Sequence, residues 1–459
     1  MADPVVAIVG AGPAGLRAAE AVAAAGLRPV LLDEGARAGG QIYRRPPPGA
    51  ERPAAELYGL EAKRATALHR VGAELARTAD YRPDTLVWNI AGRTLDLLDA
   101  TGHRGLTFDR LILATGAMDR VIPFPGWTTP GVFTLGAAQI ALKAQGLAIG
   151  RRVALVGAGP LLPLVAHQYA RAGATIAAVL DVTPFAAKVA AAPGLTAQPA
   201  TLAKGLWYTL SNGLRGLKVV NGVRGIAVEG EGRVAALTWI DARGRAGRVA
   251  CDAVGASFGL RSETQLADLA GLRFAFDPVV RQWLPERAAD GRSSRPDIYL
   301  AGDGSGIGGA DAAELQGERA ALALLDDLGR GSDDARARRL DAALARQRRF
   351  RAALEASYPY PHPLIEAVRD EETVCRCEGI TAGALRAAAR DREVGELNRL
   401  KAFTRIGMGR CQGRVCGHAA AEILARALDR PVETVGRLRT QPPVKPIPIA
   451  AALSPAEPA

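Results

Sequence analysis

Cysteine is almost absent from most of this chain: the first 374 of its 459 residues hold one, Cys251. That scarcity excludes a disulfide-built extracellular fold. No run of about 18 uninterrupted apolar residues occurs, so no transmembrane helix is expected. No basic segment precedes the first apolar stretch in MADPVVAIVGAG, which argues against a secretory signal and for the cytoplasm. Aromatics are only 5%, and the basic residues behind the net charge of +11 are dispersed. The charge therefore reads as a solvated, Arg-rich surface able to dock an acidic protein, not as a nucleic-acid groove. Hydrophobic content of 48% excludes long-range disorder, and the length exceeds one ordinary domain.

The other four cysteines form one constellation near the C-terminus: Cys375 and Cys377 in VCRCEGI, then Cys411 and Cys416 in GMGRCQGRVCG. The spacing is C-x-C, 33 residues (378–410), then C-x4-C. Two close thiolate pairs suit a soft metal, either zinc or an iron–sulfur cluster. The spacing departs from zinc-ribbon pairs, which leaves zinc as the competing reading. Predicted helices TAGALRAAARD and GHAAAEILARAL each follow a pair, placing both pairs at helix N-termini, where the dipole favours thiolate. Pro359, Pro361 and Pro363 mark the boundary before this region, after a charged helical stretch beginning near Asp333.

At the other end, the apolar strand VVAIV runs into Gly10-Ala-Gly12-Pro13-Ala14-Gly15 and an Ala-rich helix; a second strand, PVLL, closes with Asp33 and Glu34. This is the strand–turn–helix–strand context that a dinucleotide fingerprint requires. Gly10 permits the tight turn, Gly12 admits a pyrophosphate, and Gly15 lets helix and strand touch. Asp33, 18 residues after Gly15, suits the adenosine ribose hydroxyls. A second such unit spans Arg151 to Asp181. It keeps Gly157 and Gly159, but Leu162 replaces the third glycine, and Leu180 precedes Asp181. A leucine there is expected to push helix and strand apart, leaving NAD(P)H hydride delivery in doubt and phosphate or adenine-nucleotide binding open.

The segments DRLILATGA, with Thr115-Gly116, and PDIYLAGDG, with Gly302-Asp303, resemble the further FAD motifs of two-dinucleotide-domain, glutathione-reductase-like flavoproteins. The resemblance implies an α/β flavoprotein with FAD at the first turn and Asp303 at the ribityl or pyrophosphate. Where disulfide reductases of that superfamily carry a redox cysteine pair, this chain has Gln41, Ile42 and Tyr43. A flavin lacking a dithiol must exchange electrons elsewhere. The cysteine region resembles a bacterioferritin-associated-ferredoxin-like [2Fe-2S] domain, although that domain more often has C-x2-C as its second pair.

GAGPAGL, GGQIYR, ATGA, VGAGPLLPLVA, AGDGSGIGGADAAELQG and GMGRCQGRVCG together resemble α (A) subunits of heteromeric amino-acid and opine dehydrogenases. That family includes octopine and nopaline oxidases, D-hydroxyproline and L-proline dehydrogenase complexes, and hydrogen cyanide synthase flavin subunits. The resemblance implies a partner, an FAD-containing β subunit similar to D-amino-acid oxidases, which oxidises a C–N bond. It leaves room for a small subunit resembling ferredoxin, and for membrane association through partners. On this reading Gly10, Gly12, Pro13, Ala14, Gly15, Asp33, Glu34, Gly40, Gln41, Thr115, Gly116, Gly302 and Asp303 hold FAD. The four late cysteines hold [2Fe-2S], and Gly157, Gly159 and Asp181 form the second nucleotide site. A self-contained NAD(P)H-dependent ferredoxin-type reductase and a non-catalytic assembly or iron-handling module are the alternatives. No catalytic base stands out: His167 and Cys251 read as core and His418 as a helix-start residue. The expected divisions are 1–150 and 261–330 (FAD unit), 151–260 (second nucleotide unit), 331–363 (helix and linker), 364–437 (cluster domain) and 438–459, an extended Pro-rich tail either disordered or lying on a partner.

Overall fold

The computed structural model describes residues 3–331 and 333–450, together with the backbone of 457 and 458. Two five-stranded parallel sheets carry the nucleotide units. In the first the strand order is Ile298–Leu300, Arg110–Leu113, Val6–Val9, Val30–Leu32, Asp80–Arg82. The central strand Val6–Val9 is buried throughout, as a strand covered on both faces must be. Helices Pro13–Ala24 and Ala310–Asp327 pack together on one face. Their approach is close because a Cβ on Gly317 would lie 1.9 Å from the Ala14 carbonyl oxygen.

The second sheet runs Val219–Asn221, Thr175–Asp181, Arg152–Ala158, Ala253–Phe258, Val132–Thr134. Its last strand lies upstream of residue 151, so this unit borrows an edge from the segment assigned to the first. Two helices, Phe185–Leu195 and Pro199–Leu214, follow its second strand. The long helix Asp334–Ser357 packs against Phe185–Leu195 and Ala310–Asp327 and leads into the C-terminal domain.

That domain is a small hairpin, Thr373–Cys375 with Ile380–Thr381, and three helices, Ala382–Asp391, Leu397–Thr404 and Gly417–Ala427. Its buried Leu385, Leu400 and Leu424 join one apolar core with residues of the second sheet. Only one cysteine caps a helix. Cys416 is the N-cap of Gly417–Ala427, whereas Ala382–Asp391 is capped by the Thr381 hydroxyl and Cys375 ends a strand. The expectation of both pairs at helix N-termini is corrected accordingly.

The tail does not leave the molecule over 438–450. Val444 is buried, its N–H donates to the Trp88 carbonyl at 3.0 Å, and Lys445 pairs with Glu34. The rest of that expectation, 451–456 and 459, lies outside the described residues. No helix among the described residues is long and apolar enough to cross a membrane.

Candidate functional site

The first glycine turn has the geometry of an anion cradle. Gly10 sits at φ +106°, and a Cβ there would meet the Ala114 carbonyl oxygen at 2.4 Å. A Cβ on Gly15 would lie 1.7 Å from the Gly10 carbonyl oxygen, so only glycine lets the helix start so near the strand. Around Gly12 the nearest atom to such a Cβ is 3.7 Å away, on Gly40, which leaves space for a phosphate. Gly12 is the N-cap, without a side-chain cap, and Pro13 occupies the first helical position. The amides of Ala14 and Gly15 thus have no intrahelical acceptor and face the positive end of the helix.

Around this turn the other motif residues gather. Asp33 accepts from Ala11 N–H and, at 2.6 Å, from Gly35 N–H; burial pushes its carboxyl above the usual range. Gly39 N–H donates to the Ala11 carbonyl at 2.9 Å, pinning the loop that carries Gly40 and Gln41. Gln41 is exposed and accepts from Arg44. Asp303 accepts from Gly308 and Gly309 N–H at 2.7 and 2.9 Å, and burial raises its pKa too. Gly302 lies against Ala14, and Gly304 against Thr115. Glu34 points elsewhere, into its ion pair with Lys445.

The second turn repeats the topology without the cradle. Gly157 is obligatory, since a Cβ would lie 1.7 Å from the Ser257 carbonyl oxygen, and Gly159 is open. The helix Leu161–Arg171 begins one residue later relative to its second glycine, with Pro160 as N-cap. Leu162 is consequently swallowed by a core with Leu135, Val153 and Val165. Its N–H donates to the Gly159 carbonyl at 3.2 Å, and Pro160 and Pro163 have no N–H to offer. Asp181 accepts from Thr183 N–H at 2.8 Å and is salt-bridged to Lys188 Nζ at 2.6 Å. The Asp181 carboxylate, expected from the sequence at the second nucleotide site, is thus paired within the chain.

The four late cysteines form a connected set of sulfurs. Hydrogen bonding to Cys416 pulls Cys375 down to about 6 and Cys411 down to about 5. The same bonds push Cys416 up, and burial raises Cys377, which neighbours Cys411. Two thiols drawn down beside two that keep their protons suit a metal-thiolate site, where binding of the metal displaces the remaining protons. Among the described residues no three His, Cys, Asp or Glu side chains converge on a single ion. The sulfurs hydrogen-bond in sequence, Cys375 to Cys416 to Cys411 to Cys377, and four thiols gathered in this way fit the four-cysteine ligand set that a [2Fe-2S] cluster would take. Gly409 lets the loops close, since a Cβ there would be 2.3 Å from the Cys377 Cβ. His418 is half-buried beside Arg120, its ring nitrogen 3.1 Å from the Tyr360 hydroxyl; desolvation first, and nearby arginines second, hold it well below the imidazole range. His167 and Cys251 are buried in apolar surroundings.

Several functional contacts had no signal in the sequence. Thr115 Oγ1 donates to the Glu263 carbonyl at 2.6 Å, and Glu263 N–H donates to the Gly116 carbonyl at 3.0 Å. The Glu263 side chain then pairs with Arg414 at 2.7 Å, inside the Cys411–Cys416 loop. Arg281 grips Glu422 on the last helix through two bonds of 2.6 and 2.7 Å. The cluster loop is thereby fastened to the strand that ends in Thr115-Gly116.

Comparison with known proteins agrees with this division. Residues 4–317 match the pyridine nucleotide-disulphide oxidoreductase family, and residues 373–426 match the BFD-like [2Fe-2S] binding domain. The A subunit of opine oxidase from Rhizobium meliloti is 39% identical over 97% of this chain and 86% of its own length. Hydrogen cyanide synthase subunit HcnB of Pseudomonas aeruginosa (strain PAO1) is 34% identical over 97% of both chains. Among solved structures, L-proline dehydrogenase from P. horikoshii superposes with a TM-score of 0.71 at 19% identity, covering 98% of this chain and 79% of that one. That last likeness is one of fold.

Proposed function

The chain belongs to the pyridine nucleotide-disulphide oxidoreductase family, with a BFD-like [2Fe-2S] domain appended, and from that premise we propose that it is the electron-transferring subunit of a heteromeric amino-acid, imino-acid or opine dehydrogenase. Its cofactors are FAD and a [2Fe-2S] cluster. When bound, FAD would carry electrons in pairs and the cluster singly, on their way to an acceptor. Oxidation of the substrate C–N bond is assigned to a partner subunit similar to D-amino-acid oxidases. Both the opine oxidase relative and HcnB are named as subunits, which supports a heteromeric assembly.

The observation that carries this reading is the Glu263 bridge between the Thr115-Gly116 turn and the cysteine loop. In this proposal the Ala14 and Gly15 amides hold the FAD pyrophosphate, with Gly10, Gly12, Pro13 and Gly40 shaping the space. Asp33 orients the adenosine ribose, Asp303 the ribityl end, and Thr115, Gly116, Gly302 and Gln41 border the flavin. Cys375, Cys377, Cys411 and Cys416 ligate the cluster. Glu263 and Arg414 keep the cluster loop seated and water out of the seam. For the partner we assign the bare face of Pro199–Leu214, where Leu206, Trp207, Leu210 and Leu214 are exposed. An apolar row of that size is what a member of an assembly carries. Gly157, Gly159 and Asp181 hold no nicotinamide nucleotide on this reading.

An anaerobic titration of the FAD- and cluster-loaded chain with NADH and then NADPH tests it. The expected result is an unchanged flavin absorbance with either nucleotide and full bleaching by dithionite. Rapid bleaching by NADH or NADPH would instead support the NAD(P)H-dependent ferredoxin-type reductase.

A further inference from the structure

A cavity of about 100 Å³ lies between the flavin unit and the cluster domain. Neither the glycine turns, nor Asp303, nor any of the four cysteines lines it, so it is distinct from both cofactor sites. Five cations reach it, Arg261, Arg281, Lys401, Arg437 and Arg439, and no carboxylate does. Glu422 neutralises Arg281 from behind, and Asp268 neutralises Arg437. Arg261, Lys401 and Arg439 have no carboxylate within 4 Å among the described residues, which leaves an excess of positive charge around a small space.

The residues of the wall also carry polar atoms that no described residue completes. Arg261 Nη1 donates to the Arg414 carbonyl at 2.9 Å, but its Nε has no partner. Trp283 Nε1 has none either. Gln265 Nε2 donates to the Gln412 carbonyl at 2.8 Å, which fixes the orientation of the amide and leaves Oε1 without a donor. All three atoms are shielded from bulk solvent, where an unmade hydrogen bond is costly. Three residues bordering the cavity thus carry two donors and one acceptor without a partner among the described residues, under a positive field.

We infer that this cavity binds a small oxyanion bearing a hydroxyl group, a hydrogen phosphate or a short hydroxy-carboxylate. The charge selects the anion, and the Arg261 guanidinium suits an oxyanion in forked geometry. Gln265 Oε1 calls for a donor on the ligand. That donor is a hydroxyl, because an ammonium would be repelled by the surrounding cations. The volume excludes a nucleotide or a flavin, which need several hundred Å³. Gln412, Gly413, Gly417 and His418 border the same space, so the bound charge lies directly behind the loop that carries Cys411 and Cys416. A negative charge there disfavours adding an electron to the cluster, and the anion lowers its reduction potential.

The test is calorimetric titration of the FAD- and cluster-loaded chain, at low ionic strength, with sodium phosphate, glycolate and acetate in turn. Saturation of one site by phosphate or by glycolate supports the inference, and the anion that saturates it identifies the source. Acetate, which lacks the hydroxyl, should bind about tenfold more weakly than glycolate. Arg261→Gln should weaken binding about tenfold or more, with FAD and cluster absorbance retained. Trp283→Phe, which keeps the ring and removes the donor, should weaken it several-fold and guards against misfolding of the arginine variant. A redox titration should show a more negative cluster potential with the anion bound. No saturation by phosphate or glycolate at millimolar concentration means that the cavity holds water only, and overturns the inference. Equal binding of acetate and glycolate, or binding unchanged in both variants, overturns it as well. The inference stands apart from the electron-transfer reading, since binding requires no turnover.

Discussion

Two strand–turn–helix–strand units in this molecule share one topology and differ in what fills the turn. In the first, glycines at 10, 12 and 15 keep a helix start open, with free amides and a fixed Asp33. In the second, Gly157 is still required by the Ser257 carbonyl, but two prolines delete donors, Leu162 turns into the core, and Lys188 takes Asp181. The fold survives because its packing needs only the first glycine. Ligand binding draws on the later positions, and there the second unit differs in free donors and in its carboxylate's partner. Fold and nucleotide site are therefore separable even within one motif.

The largest effect should come from exchanging the third position of the two turns. Gly15→Val would drive a side chain into the Gly10 carbonyl oxygen, and the purified protein should lose nearly all of its FAD, read as released flavin per chain. Leu162→Ala should leave the FAD content intact and cost about 2–5 kcal/mol of stability in urea unfolding, the usual penalty for emptying a buried leucine site. FAD loss in the Leu162 variant, or its retention in the Gly15 variant, would break the contrast between a ligand turn and a structural one.

A second pair of variants asks whether the cluster loop depends on the flavin unit. Cys416→Ser should abolish the cluster's visible absorption and leave the flavin spectrum in place, because the residue is buried at the start of the last helix and its sulfur bonds to both Cys375 and Cys411. Glu263→Gln keeps the backbone bonds to Thr115 and Gly116 but removes the charge opposite Arg414. This pair is mostly shielded, so the expected loss is about 1–3 kcal/mol, seen as a lower urea midpoint for the loss of cluster absorbance. An unchanged midpoint would mean that the cluster domain stands alone.

What the sequence could reveal followed from how locally each feature is encoded. The first turn and the cysteine set are written in short spacings, and both were legible with their cofactors. Glu263 and Arg414 lie 151 residues apart, and Arg281 and Glu422 lie 141 apart, so no local pattern announces either pair. The departure at Leu162 was legible, but its setting was not: the helix starts one residue later, and the leucine lies in a core with Leu135, Val153 and Val165. The tail read as Pro-rich and extended, yet Val444 is held by Trp88, more than three hundred residues upstream, which composition cannot show.

Lys143 gives the most discriminating readout, because it sits at the seam between the two units. It lies in the turn Ala141–Gln145, buried, with its Nζ donating to the Ile42 carbonyl at 2.9 Å. Burial without a carboxylate partner lowers its pKa to about 8. The unfolded chain keeps an ordinary lysine near 10.5, so between about pH 8 and 10.5 it binds more protons than the folded one. Stability should consequently rise with pH across that window, by at most about 1.4 kcal/mol per unit, and the penalty should be complete below it. Lys143→Met removes the charge and should flatten the rise while stabilising the protein at pH 7. Urea midpoints measured for both proteins from pH 7 to 10 decide the matter. Parallel curves would place the ammonium in contact with water, and the seam between the units would then be open rather than packed.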